Sequence, residues 1–218
     1  MARVIAETRL HLVTDRTLCT DVPLDEAVSQ AVEGGVEAVH LREKDLPSGE
    51  LYRLATKLRK VTLGRALLII SDRIDIALAI AADGVHLPAD SLPTYVAKKL
   101  GADKLLVGRS VHSVEEAVEA QEQEADYVIL GTIYQTESHP GRKPGGPKLV
   151  RQVREAVDLP IFAIGGIDVS NSAEVMAAGA TGVAVIRSVL AAPDKKTAAR
   201  ELAKAVGDGT GKPKAVST

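Results

Sequence analysis

Short runs of aliphatic and β-branched residues alternate along this chain with stretches whose apolar positions recur at helical spacing. The runs are mostly continuous, without regular polar positions, which is typical of parallel strands buried on both faces. We predict eight strands, at 10–15, 37–42, 66–71, 84–87, 104–108, 126–131, 160–166 and 182–186. The stretches between them predict eight helices, at 23–33, 48–62, 73–81, 92–100, 113–124, 148–156, 171–178 and 196–206.

Eight strand–helix alternations within about 200 residues favour a single α/β domain of the (β/α)8 TIM-barrel class, near the small end of its size range. The competing architecture is an open doubly wound sheet, which carries a glycine-rich loop after its first strand. The segment after the first predicted strand, "RTLCTDVP", contains no glycine. We therefore expect one barrel domain over residues 1–206 and a flexible polar tail over 207–218.

Composition narrows the function classes. Hydrophobic residues make up 45% of the 218 residues but aromatic residues only 2%, so the core must consist of Val, Ile, Leu and Ala. The net charge of −2 gives no indication of a nucleic-acid partner. One cysteine, Cys19, is too few for a disulfide framework or a zinc knuckle. No apolar run is long enough for a membrane span, so we expect a cytoplasmic protein that binds no membrane. A homo-oligomer is an open alternative to a monomer.

In a barrel of this class the chemistry lies at the carboxyl ends of the strands, and the last two loops often bind phosphate. "AIGGIDVSNS" ends a predicted strand in Gly165 and Gly166, and "VIRSVL" places Ile186 and Arg187 after the last strand. Backbone N–H groups at such turns, with a helix dipole behind them, bind anions. The simpler alternative is that the two glycines only permit a tight turn.

A pair of cations follows the second predicted strand. In "LREK", Arg42 and Lys44 are two residues apart, so both side chains point to the same side. They either bind an anionic substrate group or are surface charges paired with Glu43 or Asp45.

A histidine ends the fifth predicted strand. His112 in "GRSVHS" has the near-neutral pKa of its residue type, so it can accept and return a proton in one reaction cycle. The alternative is a partly buried histidine bonded to a backbone carbonyl. The histidines at positions 11, 40 and 86, within or beside other strands, are weaker candidates, and His139 lies in a long loop that we interpret as a lid.

Several of these stretches together resemble a known superfamily. "LVTD", "LREK", "SDRIDIAL", "GRSVHSVEEA", "DYVILGTIYQT" and "AIGGI" occur in order, and the similarity extends over nearly the whole chain. The pattern resembles the thiamin phosphate synthase and TenI (thiazole tautomerase) superfamily. The resemblance implies a (β/α)8 barrel that acts on thiazole phosphate in thiamin biosynthesis.

For the synthase branch, the resemblance implies a Mg²⁺ ion on two aspartates. The first matches Asp72 in "SDR". The second belongs in the loop after the fourth strand, where the register puts Ser91 at the ligand position and Asp90 one residue earlier.

Other positions also depart from the synthase pattern. Ser71 replaces the usual asparagine, His40 a glutamine and His139 a lysine. "HLRE", "HLP" and the shortened loop after the sixth strand resemble the tautomerase branch instead. Lys44 and Asp72 are the residues that the synthase branch would show. On balance these features favour the tautomerase.

We therefore expect a metal-free thiazole tautomerase, an isomerase, with His112 as the proton carrier. By analogy Arg42 would hold the substrate carboxylate, and Gly166 with the backbone of Ile186 and Arg187 would hold its phosphate. The full set of expected substrate-binding residues is Arg42, Lys44, Ser71, Asp72, Ser110 and Thr136, with Gly165, Gly166, Ile186 and Arg187 at the phosphate.

Two alternatives remain open. The first is a thiamin phosphate synthase, which couples hydroxymethylpyrimidine diphosphate with thiazole phosphate and needs Mg²⁺ at Asp72. The second is a regulatory binder of TenI type that has lost catalysis. The tautomerase would need no cofactor, and its partner is a small phosphorylated thiazole.

Overall fold

A closed barrel of eight parallel strands forms the centre of the computed structural model, which describes residues 2–101, 104–136, 141 and 143–207. The strands follow one another around the barrel in chain order, and the eighth pairs with the first. This confirms the predicted (β/α)8 fold. The strands are β1 (Leu10–Val13), β2 (Ala38–Leu41), β3 (Leu67–Ser71), β4 (Gly84–Leu87), β5 (Leu106–Val111), β6 (Tyr127–Gly131), β7 (Ile161–Ile164) and β8 (Gly182–Val185).

Helices surround the barrel and cover its outer face. They are α1 (Ala2–Ile5), α2 (Leu24–Glu33), α3 (Ser48–Thr62), α4 (Ile74–Ala79), α5 (Thr94–Gly101), α6 (Val114–Glu122), α7 (Gly146–Ala156), α8 (Ser172–Ala177), α9 (Arg187–Leu190) and α10 (Lys195–Gly207). All eight predicted helices are present; α3 has the predicted ends, and the ends of the others differ by at most two residues. The short helices α1 and α9 were not predicted, nor was a 3-10 turn at Arg16–Leu18. Among the described helices, none has the length and apolarity required to cross a membrane.

The fifth strand differs most from its prediction. It covers Leu106–Val111 instead of 104–108, because backbone pairing with β6 continues through Arg109, Ser110 and Val111. The sequence "GRSVHS" therefore lies mostly inside the strand, and only His112 and Ser113 follow it. Since side chains alternate across a strand, Arg109 and Ser110 point to opposite sides.

Two separate apolar clusters stabilise the fold. The larger lies between the strands and the surrounding helices, and its members are mainly Val, Leu, Ile and Ala, as the composition predicts. The smaller lies inside the barrel and includes Ile69, Leu106, Tyr127 and Phe162. The interior of the barrel therefore contains a packed apolar core.

The domain boundary remains a prediction. Helix α10 ends at Gly207, one residue later than expected. The remainder of the predicted tail, residues 208–218, lies outside the described residues.

A glycine in β5 tests the packing inside the barrel. A Cβ atom on Gly108 would lie 2.0 Å from Cζ of Tyr127, whose ring is fully buried. We expect Gly108→Ala to lower the free energy of unfolding by about 1–3 kcal/mol, because the ring must move in a filled core. Urea unfolding followed by circular dichroism measures the change.

Gly49→Ala is the matched control, because nothing lies within 4 Å of a Cβ at this position in α3. There the substitution should leave stability unchanged or raise it by up to about 1 kcal/mol, since alanine favours helix. Equal behaviour of the two variants would contradict the interior packing described above.

Candidate active site

A pocket of about 700 Å³ opens at the carboxyl end of the barrel. It brings together residues at the carboxyl ends of β2 to β8 and in the loops that follow them. Ten predicted site residues line it, namely Arg42, Lys44, Ser71, Ser110, His112, Thr136, Gly165, Gly166, Ile186 and Arg187. The remaining predicted residue, Asp72, is exposed beside the pocket and is not part of its lining.

The paired glycines form a turn that no other residue type fits. Gly165 and Gly166 have φ values of 105° and 64°, in the left-handed region. A Cβ on Gly166 would lie 2.4 Å from the carbonyl oxygen of Gln135. The backbone after β7 therefore packs directly against the loop after β6. Beside it, α9 begins with Ile186 as its N-cap, so the first N–H groups of this helix lie at the same wall of the pocket.

The two cations after β2 are not paired with their acidic neighbours. Glu43 is buried and accepts hydrogen bonds from the backbone N–H of Arg16 at 3.0 Å and from its guanidinium at 2.9 Å. Asp45 accepts two further bonds from the same guanidinium, which lower the pKa of this carboxyl to about 2. Within the described part of the chain, Arg42 and Lys44 therefore have no carboxylate partner and line the pocket as available positive charges.

Ser91 and Asp72, whose side-chain oxygens are of the type that binds metal ions, contact each other beside the pocket. The hydroxyl of Ser91 donates to the carboxylate of Asp72, whose backbone has the left-handed φ of 60° that aspartate tolerates better than most residues. Asp90, one residue before Ser91, lines the pocket itself. No group of three or more histidine, cysteine or acidic side chains among the described residues could hold a metal ion by itself.

Arg109 and Ser110, which are neighbours in "GRSVHS", make different contacts. The Arg109 guanidinium points away from the barrel interior and donates to the carbonyl oxygens of Leu92 and Ala89, at 2.7 and 2.9 Å. It therefore holds the β4–α5 loop that carries Asp90 and Ser91. Ser110 points into the barrel, where its Oγ atom lies 2.8 Å from Nε2 of His86.

His112 is half-buried and contacts the end of the neighbouring strand. Its Nδ1 donates to the carbonyl oxygen of Gly131 at 2.5 Å, and its backbone N–H donates to Glu116 at 2.7 Å. The first bond is the backbone-carbonyl contact considered from the sequence, and it leaves Nε2 as the second polar atom of the ring. Ser113 caps α6 by accepting a hydrogen bond from the N–H of Glu116.

Sequence reasoning underestimated three histidines inside the barrel. His11, His40 and His86 are buried. The ring centroids of His11 and His40 are 5.1 Å apart, and those of His40 and His86 are 5.6 Å apart. His40 and His86 line the bottom of the pocket. Strand alternation could have indicated them, because each lies in the same phase of its strand as the inward-facing positions.

Burial keeps these three histidines neutral. Burial lowers the pKa of His40 from 6.5 to about 3. It also holds the pKa values of His11 and His86 well below the usual value, and electrostatic repulsion from His40 lowers both further. The long loop after β6 is described only in part, and His139 lies outside the described residues.

Comparisons with known proteins agree with this architecture. A family model for thiamine monophosphate synthase matches residues 10–189. The thiamine-phosphate synthase of Methanospirillum hungatei is 41% identical over 196 residues, which are 89% of this chain and 95% of that protein. That of Pyrococcus furiosus is 40% identical over 204 residues, covering 93% and 97% of the two chains.

A solved structure gives the same result. The thiamine phosphate pyrophosphorylase of Pyrococcus furiosus superposes with a TM-score of 0.86 at 39% identity, covering 94% of this chain and 98% of that one. These relatives contradict the sequence-based expectation of a thiazole tautomerase, which is wrong. Similarity over nearly the full length indicates the branch of the family more strongly than departures at four positions.

The neutral histidines make stability depend on pH. Between about pH 6.5 and 3 the unfolded chain binds a proton at His40 that the folded chain excludes, so stability falls as the pH decreases through this range. We expect the free energy of unfolding in urea to fall between pH 6.5 and 5 by about 1.4 kcal/mol per pH unit for each fully excluded proton.

His40→Gln removes one of the titrating groups and should reduce this slope. An unfolding free energy that stays constant between about pH 6.5 and 5 would show that the three imidazoles are not excluded from protonation.

Proposed function

Because the chain belongs to the thiamine monophosphate synthase and TenI family, we propose that it is a thiamine-phosphate synthase, a transferase that couples hydroxymethylpyrimidine diphosphate with thiazole phosphate. The observation that carries the proposal is a single pocket with two regions suited to anions. One lies on the loops after β2 to β4 and the other on the loops after β7 and β8. In a barrel of eight strands in sequential order, these loops face each other across the opening.

The reaction makes one bond and breaks one. The ring nitrogen of the thiazole forms a C–N bond with the methylene carbon of the pyrimidine, and the C–O bond to the diphosphate breaks. The electron pair of that bond leaves with the diphosphate. The protein must therefore align the two rings and stabilise negative charge that grows on the leaving group.

We assign the diphosphate to the region after β2, β3 and β4. Arg42 and Lys44 line this side of the pocket, and Arg16 engages the carboxylates next to them. Two cations directed at a departing diphosphate stabilise the transition state more than the ground state, since the charge of the leaving group increases as its bond breaks.

The residues present fit a Mg²⁺ ion shared with the diphosphate. Mg²⁺ commonly binds through one or two carboxylates together with substrate phosphates and water, and does not need a cage of protein ligands. Asp72, Ser91 and Asp90 offer oxygen donors of that kind at this side of the pocket. When bound, the ion would neutralise charge on the diphosphate as it leaves. Arg109 fixes the loop on which two of these donors lie.

We assign the thiazole phosphate to the opposite side. The Gly165–Gly166 turn lines this side of the pocket together with Ile186 and Arg187 at the start of α9. Backbone N–H groups at a turn and at a helix start bind anions, and the absence of Cβ atoms allows an anion to approach the turn closely. This arrangement supports the phosphate interpretation of the glycine pair over the simpler interpretation as a turn.

His112 takes a different role in this reaction from the one first expected. Coupling transfers no proton in the bond-forming step, so the protein needs no acid–base residue there. With Nδ1 bonded to Gly131, His112 has Nε2 available as a polar contact to the substrates. We place Ser110 and Thr136 in the same group of substrate contacts, since both line the pocket. The cytoplasmic location remains a prediction.

The proposal predicts Mg²⁺-dependent product formation. Purified protein incubated with both phosphorylated substrates and Mg²⁺ should release thiamin phosphate and diphosphate in equal amounts, and EDTA should stop the reaction. Chromatography of both products measures this. Substrate binding without turnover would contradict the proposal and support the regulatory binder instead.

Removing the cation after β2 should impair the chemical step. We expect Arg42→Gln to lower kcat/KM by about 10²-fold, the effect of losing one preorganised charge at a developing anion. Arg53→Gln is the matched control, because Arg53 is exposed on α3 and does not line the pocket. Equal rates for both variants would exclude Arg42 from the site.

One substitution should weaken Mg²⁺ binding at the proposed site and another should strengthen it. Asp72→Asn should raise the Mg²⁺ concentration needed for half-maximal activity, since a neutral amide binds the ion more weakly. Ser91→Asp should lower it by adding a carboxylate beside Asp72. Unchanged Mg²⁺ dependence in both variants would place the ion elsewhere.

A further inference from the structure

Two carboxylates alternate with the two cations of the loop after β2. Arg42 and Lys44 line the pocket, whereas Glu43 and Asp45 do not. The Glu43 side chain is only 3% exposed, and a buried carboxylate requires a cation or hydrogen-bond donors beside it. The group that balances these two negative charges therefore also determines how strongly this side of the pocket attracts an anion.

Arg16 supplies the balancing charge from the loop after β1. Its guanidinium donates to Glu43 at 2.9 Å and to Asp45 at 2.6 Å, and a second bond joins it to Asp45. The backbone N–H of Arg16 donates to Glu43 at 3.0 Å. Arg16 does not line the pocket. One side chain outside the pocket lining thus satisfies both carboxylates.

The loop that carries Arg16 is held beside the loop after β2. Asp15 accepts from the backbone N–H of Thr17 at 3.1 Å and from its hydroxyl at 2.5 Å, so the Asp15 carboxylate caps the short 3-10 turn. Thr14 Oγ1 accepts from the backbone N–H of Arg42 at 2.9 Å. These bonds fix the start of the turn next to the end of β2, from where the Arg16 guanidinium reaches both carboxylates.

The charges in this region show what Arg16 contributes. Arg16, Arg42 and Lys44 are three cations, and Glu43 and Asp45 are two carboxylates, so one positive charge is in excess. Without Arg16, cations and carboxylates would be equal in number. The buried carboxylate of Glu43 would also lose its cation, and the next cations in sequence are the two that line the pocket. The attraction for an anion would then fall, because uncompensated negative charge lies beside them.

We propose that Arg16 is a positioning residue of the diphosphate site, which neutralises Glu43 and Asp45 so that the charges of Arg42 and Lys44 act on the anion. Arg16 works through these two cations and does not touch the substrate. The identity of the anion as the diphosphate group rests on the proposed function. The charge effect does not, since any multiply charged phosphate bound in this region experiences it.

Binding of inorganic diphosphate tests the charge effect without turnover. Isothermal titration calorimetry on the full chain, with Mg²⁺ present, measures the dissociation constant. We expect Arg16→Gln to raise this constant about tenfold, because one positive charge close to a multiply charged anion is lost. An unchanged dissociation constant overturns the proposal.

A second substitution distinguishes charge balance from a loss of loop structure. In Arg16→Gln combined with Glu43→Gln, the excess of one positive charge returns, while the ion pair between the two loops stays absent. We expect this double variant to recover most of the affinity for diphosphate that Arg16→Gln loses. If the affinity stays at the level of Arg16→Gln, Arg16 only holds the loops together and the proposal is wrong.

Arg59→Gln is the matched control. Arg59 also pairs with a carboxylate, since it donates to Asp83 at 2.6 and 3.4 Å. Its side chain is 21% exposed, compared with 34% for Arg16. Asp83 directly precedes β4, so this pair lies at the amino-terminal end of the barrel, away from the pocket. Arg59→Gln should leave the affinity for diphosphate unchanged. An equal loss in this variant would assign the effect to general destabilisation and contradict the proposal.

Steady-state kinetics show which substrate the charge serves. Arg16→Gln should raise the KM for the pyrimidine diphosphate about tenfold and leave the KM for thiazole phosphate unchanged, because that substrate is assigned to the opposite side of the pocket. An equal rise in both KM values overturns the proposal. A protein that shows the charge effect with inorganic diphosphate but forms no thiamin phosphate would contradict the proposed function alone.

Discussion

The closed parallel register of the eight strands is the constraint on which the site depends. Each strand has one partner on either side, so a side chain's position along its strand decides both its level in the barrel and whether it points inward. Arg109 and Ser110 are neighbours in sequence, yet one fixes a loop outside the barrel and the other contacts His86 inside it. A shift of one residue in β5 would exchange these roles and remove a polar contact from the pocket.

Polar interactions complete the carboxyl end of the barrel. Arg16 connects the loops after β1 and β2 through Glu43 and Asp45, so among the residues that the structure describes Arg42 and Lys44 line the pocket without acidic partners. On the other side, Gly165 and Gly166 form a turn with positive φ angles and no Cβ atoms, which lines the opening. The result is a pocket with cationic side chains on one side and backbone donors on the other, which suits two phosphorylated substrates.

Much of this architecture could be predicted from the sequence, because a strand that is buried on both faces is a continuous apolar run and such runs are conspicuous. The fold follows from it, as does the placement of ten of the pocket-lining residues at strand ends or in the loops after them. The limits of β5 could not, since the polar residues of "GRSVHS" resemble a loop while their backbone pairs with β6. The inward direction of His11 and His40 could not be predicted either, because each is a single polar residue in a run of four buried positions.

The choice of reaction was wrong for a related reason. Ser91 in place of an aspartate suggests the loss of a metal ligand, but its hydroxyl contacts Asp72 and keeps an oxygen atom at that point. The residue type at one position does not show which oxygen atoms its neighbours in the folded chain place beside it.

A crystal structure with thiamin phosphate and diphosphate bound tests the central claim most directly, because it locates both anions at once. The two-sided pocket predicts the phosphate of the product at the Gly165–Gly166 turn and the start of α9, with the diphosphate beside Arg42, Lys44 and Asp72. Both anions on the same side of the opening, or either one outside the barrel mouth, would contradict it.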